Sequence, residues 1–145
     1  VCPANIVLNY LAEQLGLLFD ESGALSREGN LSEELFQKLN ELSYYKVIPP
    51  KSLGLEWVKK EIFPLLKSST ISIEDKLHTI TEHIAFQLSN QFMESSTVLV
   101  TGGGAFNTYL LERINYYKKI NLTIKIKIFF VIILNIKIIF KFKIS

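Results

Sequence analysis

The stretch from Ser72 to Phe92 constrains the chain most. Leu77, Ile80, Thr81, Ile84, Ala85, Leu88 and Phe92 recur at intervals of three and four, which predicts one long helix with a continuous buried face. Ser72 with Asp75 three residues on imitates a capping box and fixes its start. Ser95 and Ser96 should end it, residues 97–101 read as a short buried strand, and Gly102, Gly103 and Gly104 turn into a further helix that Asn107 could cap. Upstream, residues 3–15 place Ile6, Val7, Tyr10, Leu11 and Leu15 on one helical face, with Gly16 as a stop. Residues 20–23 form a turn, and Glu33 and Glu34 behind Ser32 open a second helix that runs to about Glu41. Pro49 and Pro50 hold residues 44–52 as an extended loop. Ser52 or Gly54 then begins a helix with Trp57, Val58 and Ile62 inward, which Pro64 should kink or restart. Helices, a strand, a glycine turn and a helix together make an α/β chain that is mostly helical.

At 145 residues there is room for one domain with a real core and too little for two lobes. The net charge of +2 conceals two regions, because residues 118–145 hold seven Lys and no acid, leaving 9 basic and 14 acidic residues elsewhere, a net of −5. An acidic body argues against a nucleic-acid surface, which gathers Lys and Arg on one face. Cys2 is the single cysteine, so neither an internal disulfide nor a multi-cysteine zinc site is expected. Nothing at the start reads as a secretory signal, and the expectation is cytoplasmic.

After Tyr117 the residues become almost wholly Ile, Lys, Phe, Asn and Leu. The expected division is therefore a domain over 1–117 and a low-complexity tail over 118–145, foreign to the rest. Alternating apolar residues and Lys at 122–128 could form an edge strand, and 128–134 is too short for a bilayer of about 30 Å. Because A/T-rich codons give these same residues, translation beyond a frameshift is the simpler account.

Two places could carry chemistry. The strand and glycines from Val98 to Asn107 would let a ligand reach the backbone, with free N–H groups at the following helix, and a nucleotide is the natural guess. A tight structural turn is the equal alternative, since the spacing fits neither the dinucleotide fingerprint nor the P-loop. Lys51 and Ser52 end the proline loop with a cation and a hydroxyl suited to a sugar oxygen or phosphate, although a solvated Lys and an ordinary N-cap explain them too. His78 and His83, five apart, do not share a face and suggest no metal site. Glu82 beside His83 could in principle support acid–base work, but on an exposed helix face the pair reads as solvated.

Three segments resemble the anhydro-N-acetylmuramic acid kinases. Cys2, Pro3, Ala4 and Asn5 are similar to a family segment of Asp, a variable pair, Pro, Gly or Ala, then Asn. Residues 49–56 are close to the family's Pro-Pro-Lys-Ser-Thr-Gly-Arg-Glu, with Leu53 in place of Thr and Leu55 in place of Arg. Val100 to Asn107 matches its Gly-Gly-Gly-Ala-x-Asn turn. The turn at 20–24 and the helix around Thr81, Glu82 and His83 add to the likeness, which covers residues 1–114.

The resemblance implies an incomplete C-terminal lobe of the actin-like, ribonuclease H-like ATPase fold. It implies an enzyme of peptidoglycan recycling that opens 1,6-anhydro-N-acetylmuramic acid with water and phosphorylates O6, using ATP and Mg2+. Gly102, Gly103, Gly104 and Asn107 would bind the nucleotide, and Asn5, Lys51 and Ser52 the amino sugar. The general-base Asp would precede Val1, and the phosphate loop is missing, so the chain alone should be inactive. Its partners would be the amino sugar, an N-terminal lobe and, for the intact enzyme, a second copy. The competing reading is a non-enzymatic helical interaction module whose basic tail adheres to membranes.

Overall fold

Helix α7, Ile73–Ser89, is the axis on which the other elements pack. The computed structural model describes residues 2–48 and 52–124. As the sequence predicts, the Ser72 side chain accepts a hydrogen bond from the Asp75 N–H at 3.0 Å and caps this helix. It ends earlier than Ser95, at Asn90, and Ser95 takes a left-handed φ of 60°.

The N-terminal helix α1 spans Asn5–Glu13 and buries Val7, Leu8, Leu11 and Ala12. Ile6 and Leu15 stay exposed, so the buried face is rotated from the predicted one. Gly16, at φ 75°, does stop the helix. Helices α2, Ala24–Glu28, and α3, Glu33–Glu41, follow. Ser32 caps α3 by accepting from the Leu35 N–H at 3.3 Å, with Glu33 and Glu34 at the positive end of the helix dipole. A short α4, Ser43–Lys46, leads toward the proline loop.

Beyond it Gly54, not Ser52, is the N-cap of α5, Leu55–Trp57. A single π turn, Val58–Ile62, connects α5 to α6, Phe63–Ser68, and Pro64 lies at the start of α6. Proline has no N–H and its ring clashes with the carbonyl four residues back, so the preceding turn widens. Val58, Ile62 and Leu66 are buried in one cluster with Val7, Leu11, Leu35, Leu39, Leu77, Ile80 and Ile84. Full burial of each such side chain contributes about 2 kcal/mol.

Strand β1, Thr97–Val100, pairs in parallel with β2, Asn121–Ile124, from Thr97 opposite Asn121 to Val100 opposite Ile124. Parallel strands need a crossover, and α8, Thr108–Tyr117, supplies it. The glycine turn is thereby the first loop of a strand–helix–strand unit. Strand β2 begins inside the segment that the sequence assigns to the tail, because composition alone does not show that Leu122 packs against the core. The expected tail residues 125–145, including the rest of the 122–128 edge strand and the 128–134 apolar run, lie outside the described residues, as does the Pro49–Pro50 pair. Among the described residues no helix is long and apolar enough to cross a membrane.

Candidate functional site

The candidate site is the glycine turn at the carboxyl end of β1, the edge where parallel strands followed by helices leave a crevice. Gly102 has φ 78° and ψ −164°, a backbone conformation that side chains with a Cβ avoid. A 3-10 turn, Gly103–Phe106, follows, closed by hydrogen bonds from the Ala105 N–H to the Gly102 carbonyl at 3.1 Å and from the Asn107 N–H to the Gly104 carbonyl at 3.3 Å. Gly103 has a different constraint. A Cβ placed there would stand 3.0 Å from Nδ2 of Asn5, the first residue of α1.

Residues almost a hundred positions apart in the chain thus meet, and the amide of Asn5 lies over the backbone of the turn. Asn107 is buried, and its side-chain oxygen accepts the Leu110 N–H at 2.9 Å, capping α8 as the sequence predicts. With that oxygen engaged, Asn107 shapes the turn more directly than it offers a free acceptor. Beneath the turn an apolar cavity of about 30 Å³ is lined by Ala4, Val98, Val100, Gly104, Leu110 and Leu122 among others. Its size suits a single water, and its walls offer that water nothing polar. Ser52 is exposed in the extended segment ahead of α5, and Lys51 lies outside the described residues.

Sequence reasoning misplaced Glu82 and His83. Both are buried, at 2% and 1% exposure. Glu82 forms an ion pair with Arg113 of α8 through Nε, and its second oxygen accepts from Arg113 Nη2 at 3.1 Å and from the Tyr117 hydroxyl at 2.8 Å. Tyr109 donates to the same carboxylate at 3.4 Å. Burial, and then the neighbouring carboxylate, hold the Tyr117 phenol protonated far above neutral pH. On the other side of α7, His83 contacts Asn40 Oδ1 through Nδ1 at 3.1 Å and packs edge-on against Tyr45 and Phe36. Burial pushes its imidazole down to about 4, so it is neutral at physiological pH.

The turn at residues 20–23 also proves to be tertiary structure. Asp20 is buried and accepts from the N–H groups of Leu25 and Ser26, at 2.9 and 3.0 Å, and from the Ser26 hydroxyl at 2.6 Å. Ser26 is tied to α7 by the Thr81 hydroxyl at 3.1 Å and by His78 Nδ1, which reaches its carbonyl at 2.9 Å. Asp20 ahead of a left-handed Gly23 was the available signal, legible as a turn but not as a neighbour of Asn107. Among the described residues no group of three His, Cys, Asp or Glu side chains is placed to hold a metal ion.

Residues 1–124 match the family model of anhydro-N-acetylmuramic acid kinase. Proteins of that name from Pseudomonas syringae pv. syringae (strain B728a) and Aliivibrio fischeri (strain ATCC 700601 / ES114) are each 32% identical, over 122 and 127 residues, covering 77% and 79% of this chain. One from Sulfurovum sp. (strain NBC37-1) is 29% identical over 120 residues, 77% of the chain. In all three cases the match covers 33% of the relative, so the chain spans about a third of the length of the curated relatives it matches.

Proposed function

Because the chain belongs to the anhydro-N-acetylmuramic acid kinase family, we propose that it supplies nucleotide-binding elements of an ATP-dependent sugar kinase, in a lobe of the actin-like, ribonuclease H-like kind. The reaction is hydrolytic opening of 1,6-anhydro-N-acetylmuramic acid with transfer of the ATP γ-phosphoryl group to O6, which gives N-acetylmuramic acid 6-phosphate. The observation that carries this reading is the meeting of Asn5 with Gly103 at the end of a parallel strand. It sets a segment expected at the sugar against one expected at the nucleotide.

In this reading Gly102, Gly103 and Gly104 let the adenosine part of ATP approach the backbone, and Asn107 fixes the start of α8 behind them. Asn5 presents its amide between nucleotide and sugar, while Lys51 and Ser52 edge the sugar side. Phosphoryl transfer depends on positioning and charge neutralisation, and these residues position. The Mg2+ that the family implies would be held largely by the ATP phosphates and water, where it would neutralise charge. The general base that takes a proton from water has no candidate among the family motifs this chain carries.

A non-enzymatic membrane-adhering module finds no support among the described residues. The test is calorimetric titration of the whole chain with ATP, wild type against Gly103→Val. ATP bound by the wild type and lost in the variant is expected, whereas equal binding by both would remove the glycine turn from the site. By itself the chain should turn over no ATP. Co-expression with the remaining part of the Pseudomonas syringae relative should restore sugar phosphorylation, and robust turnover by the isolated chain would contradict the proposed division of labour.

A further inference from the structure

Against Asn107, Thr108 and Tyr109, the residues that follow the glycine turn, two consecutive residues of another segment adopt left-handed backbone: Ser22 at φ 57° and Gly23 at φ 74°. For Ser22 that conformation is strained, since a Cβ makes it costly by about 1 kcal/mol. The surrounding bonds explain why it persists. The Ser22 carbonyl accepts from the Thr108 hydroxyl at 3.0 Å, and the buried Asp20 clamps the other end of the turn onto α2.

Gly23 is buried so closely that a Cβ would stand 2.4 Å from Asn107 Oδ1 and 2.7 Å from Tyr109 Cβ. That oxygen is the one that caps α8 through the Leu110 N–H, and the Asn107 N–H closes the glycine turn on the Gly104 carbonyl. A displacement at residue 23 therefore passes through one side chain into the turn.

The geometry points to the Ser22–Gly23 pair as the backstop of the glycine turn, with Gly23 the positioning residue that holds Asn107, and through it Gly102 to Gly104, in ligand-binding shape. This rests on the nucleotide reading of that turn. The backstop acts on the turn through the Asn107 side chain. Its strain is maintained by Asp20, whose partner Ser26 is anchored in turn by Thr81 and His78 of α7.

The molecule contains its own control. Gly29 is packed at least as tightly, where a Cβ would stand 2.1 Å from the Glu74 carbonyl oxygen, but it lies against the start of α7 and not against the glycine turn. Gly23→Ala and Gly29→Ala in the whole chain should both lower Tm. At a temperature where each is folded, only Gly23→Ala should weaken ATP binding, by about tenfold or more, with Gly29→Ala within about twofold of wild type.

Thr108→Val removes only the hydroxyl bond to the Ser22 carbonyl, so it carries the test if Gly23→Ala does not fold. It should weaken ATP binding about threefold with little change in Tm. Amide hydrogen exchange over residues 103–110 reads the backstop without nucleotide and should speed up in Gly23→Ala and Thr108→Val but not in Gly29→Ala. Equal exchange in all variants, or ATP binding that falls only in step with Tm, would overturn the inference. Failure of the wild type to bind ATP while exchange responds as expected would instead sink the nucleotide reading and leave the positioning of the turn intact.

Discussion

Helix α7 is buried on two sides with a different balance of apolar and polar contacts. Toward α1, α3 and α6 it presents Leu77, Ile80 and Ile84 to Val7, Leu11, Leu39, Ile62 and Leu66, beside a smaller set of polar contacts from His83 and Gln87 to Asn40 and from Thr79 to Ser32. Toward α2 and α8 it presents Thr81, Glu82 and His78, and those groups meet Ser26, Arg113, Tyr109 and Tyr117 through hydrogen bonds and an ion pair. The apolar side is stabilised by area removed from water and tolerates changes of shape. The polar side contributes little net energy when complete, but becomes costly when one member is removed. The polar side is also the one that supports the glycine turn, so precision is placed where position matters.

The comparison is broken most strongly at Glu82. Glu82→Leu leaves Arg113 without its counter-charge and two tyrosines without their acceptor, and should cost about 3 to 4 kcal/mol in urea denaturation. The double variant Glu82→Leu, Arg113→Leu should recover most of that loss, and a single-variant cost below about 1 kcal/mol would show that the pair is solvated after all. On the apolar side, Ile84→Ala should cost about 3 kcal/mol. That loss should not vary with salt, which distinguishes a cavity from a broken ion pair.

His83 gives the comparison a pH axis. Its folded value of about 4 lies below the ordinary value of 6.5, so between them the unfolded chain binds more protons than the folded one. Stability from this group is therefore full above pH 6.5 and lost as pH falls toward 4, about 2 kcal/mol of it by pH 5. Denaturation midpoints at pH 7.5 and 5 should differ less in His83→Leu than in wild type, and an unchanged difference would mean that other groups carry the acid sensitivity. A smaller effect is expected at the end of the helix. Ser72→Ala removes the cap on Asp75 and should cost about 1 kcal/mol. Smallest is Glu34→Ala, which deletes an exposed i,i+4 ion pair with Lys38 and should leave Tm where it is.

Much of the local structure was legible because it is written in neighbouring residues. Ser72 and Asn107 cap the helices they were expected to cap, and Ser32 caps the helix expected to open behind it, since an N-cap needs only an acceptor side chain and the N–H groups two or three positions on. Pro64 disturbs its helix by its own ring. The glycine turn was visible as a candidate for the same reason, because three residues without Cβ after a strand leave the backbone open. Glu82 and His83 were misread because a charge in a helical repeat is solvated unless something on another helix meets it, and Arg113, Tyr117 and Asn40 lie too far along the chain for any local pattern to show. The start of the 122–128 edge strand was legible in its alternation, but that β2 belongs to the domain was not, as its four residues resemble the low-complexity stretch after them and pairing with β1 distinguishes them.

The residues alone carried the main helices, several of their caps and breaks, the family, and a glycine turn after a strand. Only the tertiary structure decided which face of α1 is inside, that Asn5 lies against Gly103, and that the Ser22–Gly23 turn stands behind Asn107. The division follows from range. Caps, prolines and hydrophobic periods act over a few residues, whereas a site is assembled where distant segments approach within van der Waals contact, and those approaches are fixed by the packing of the whole domain.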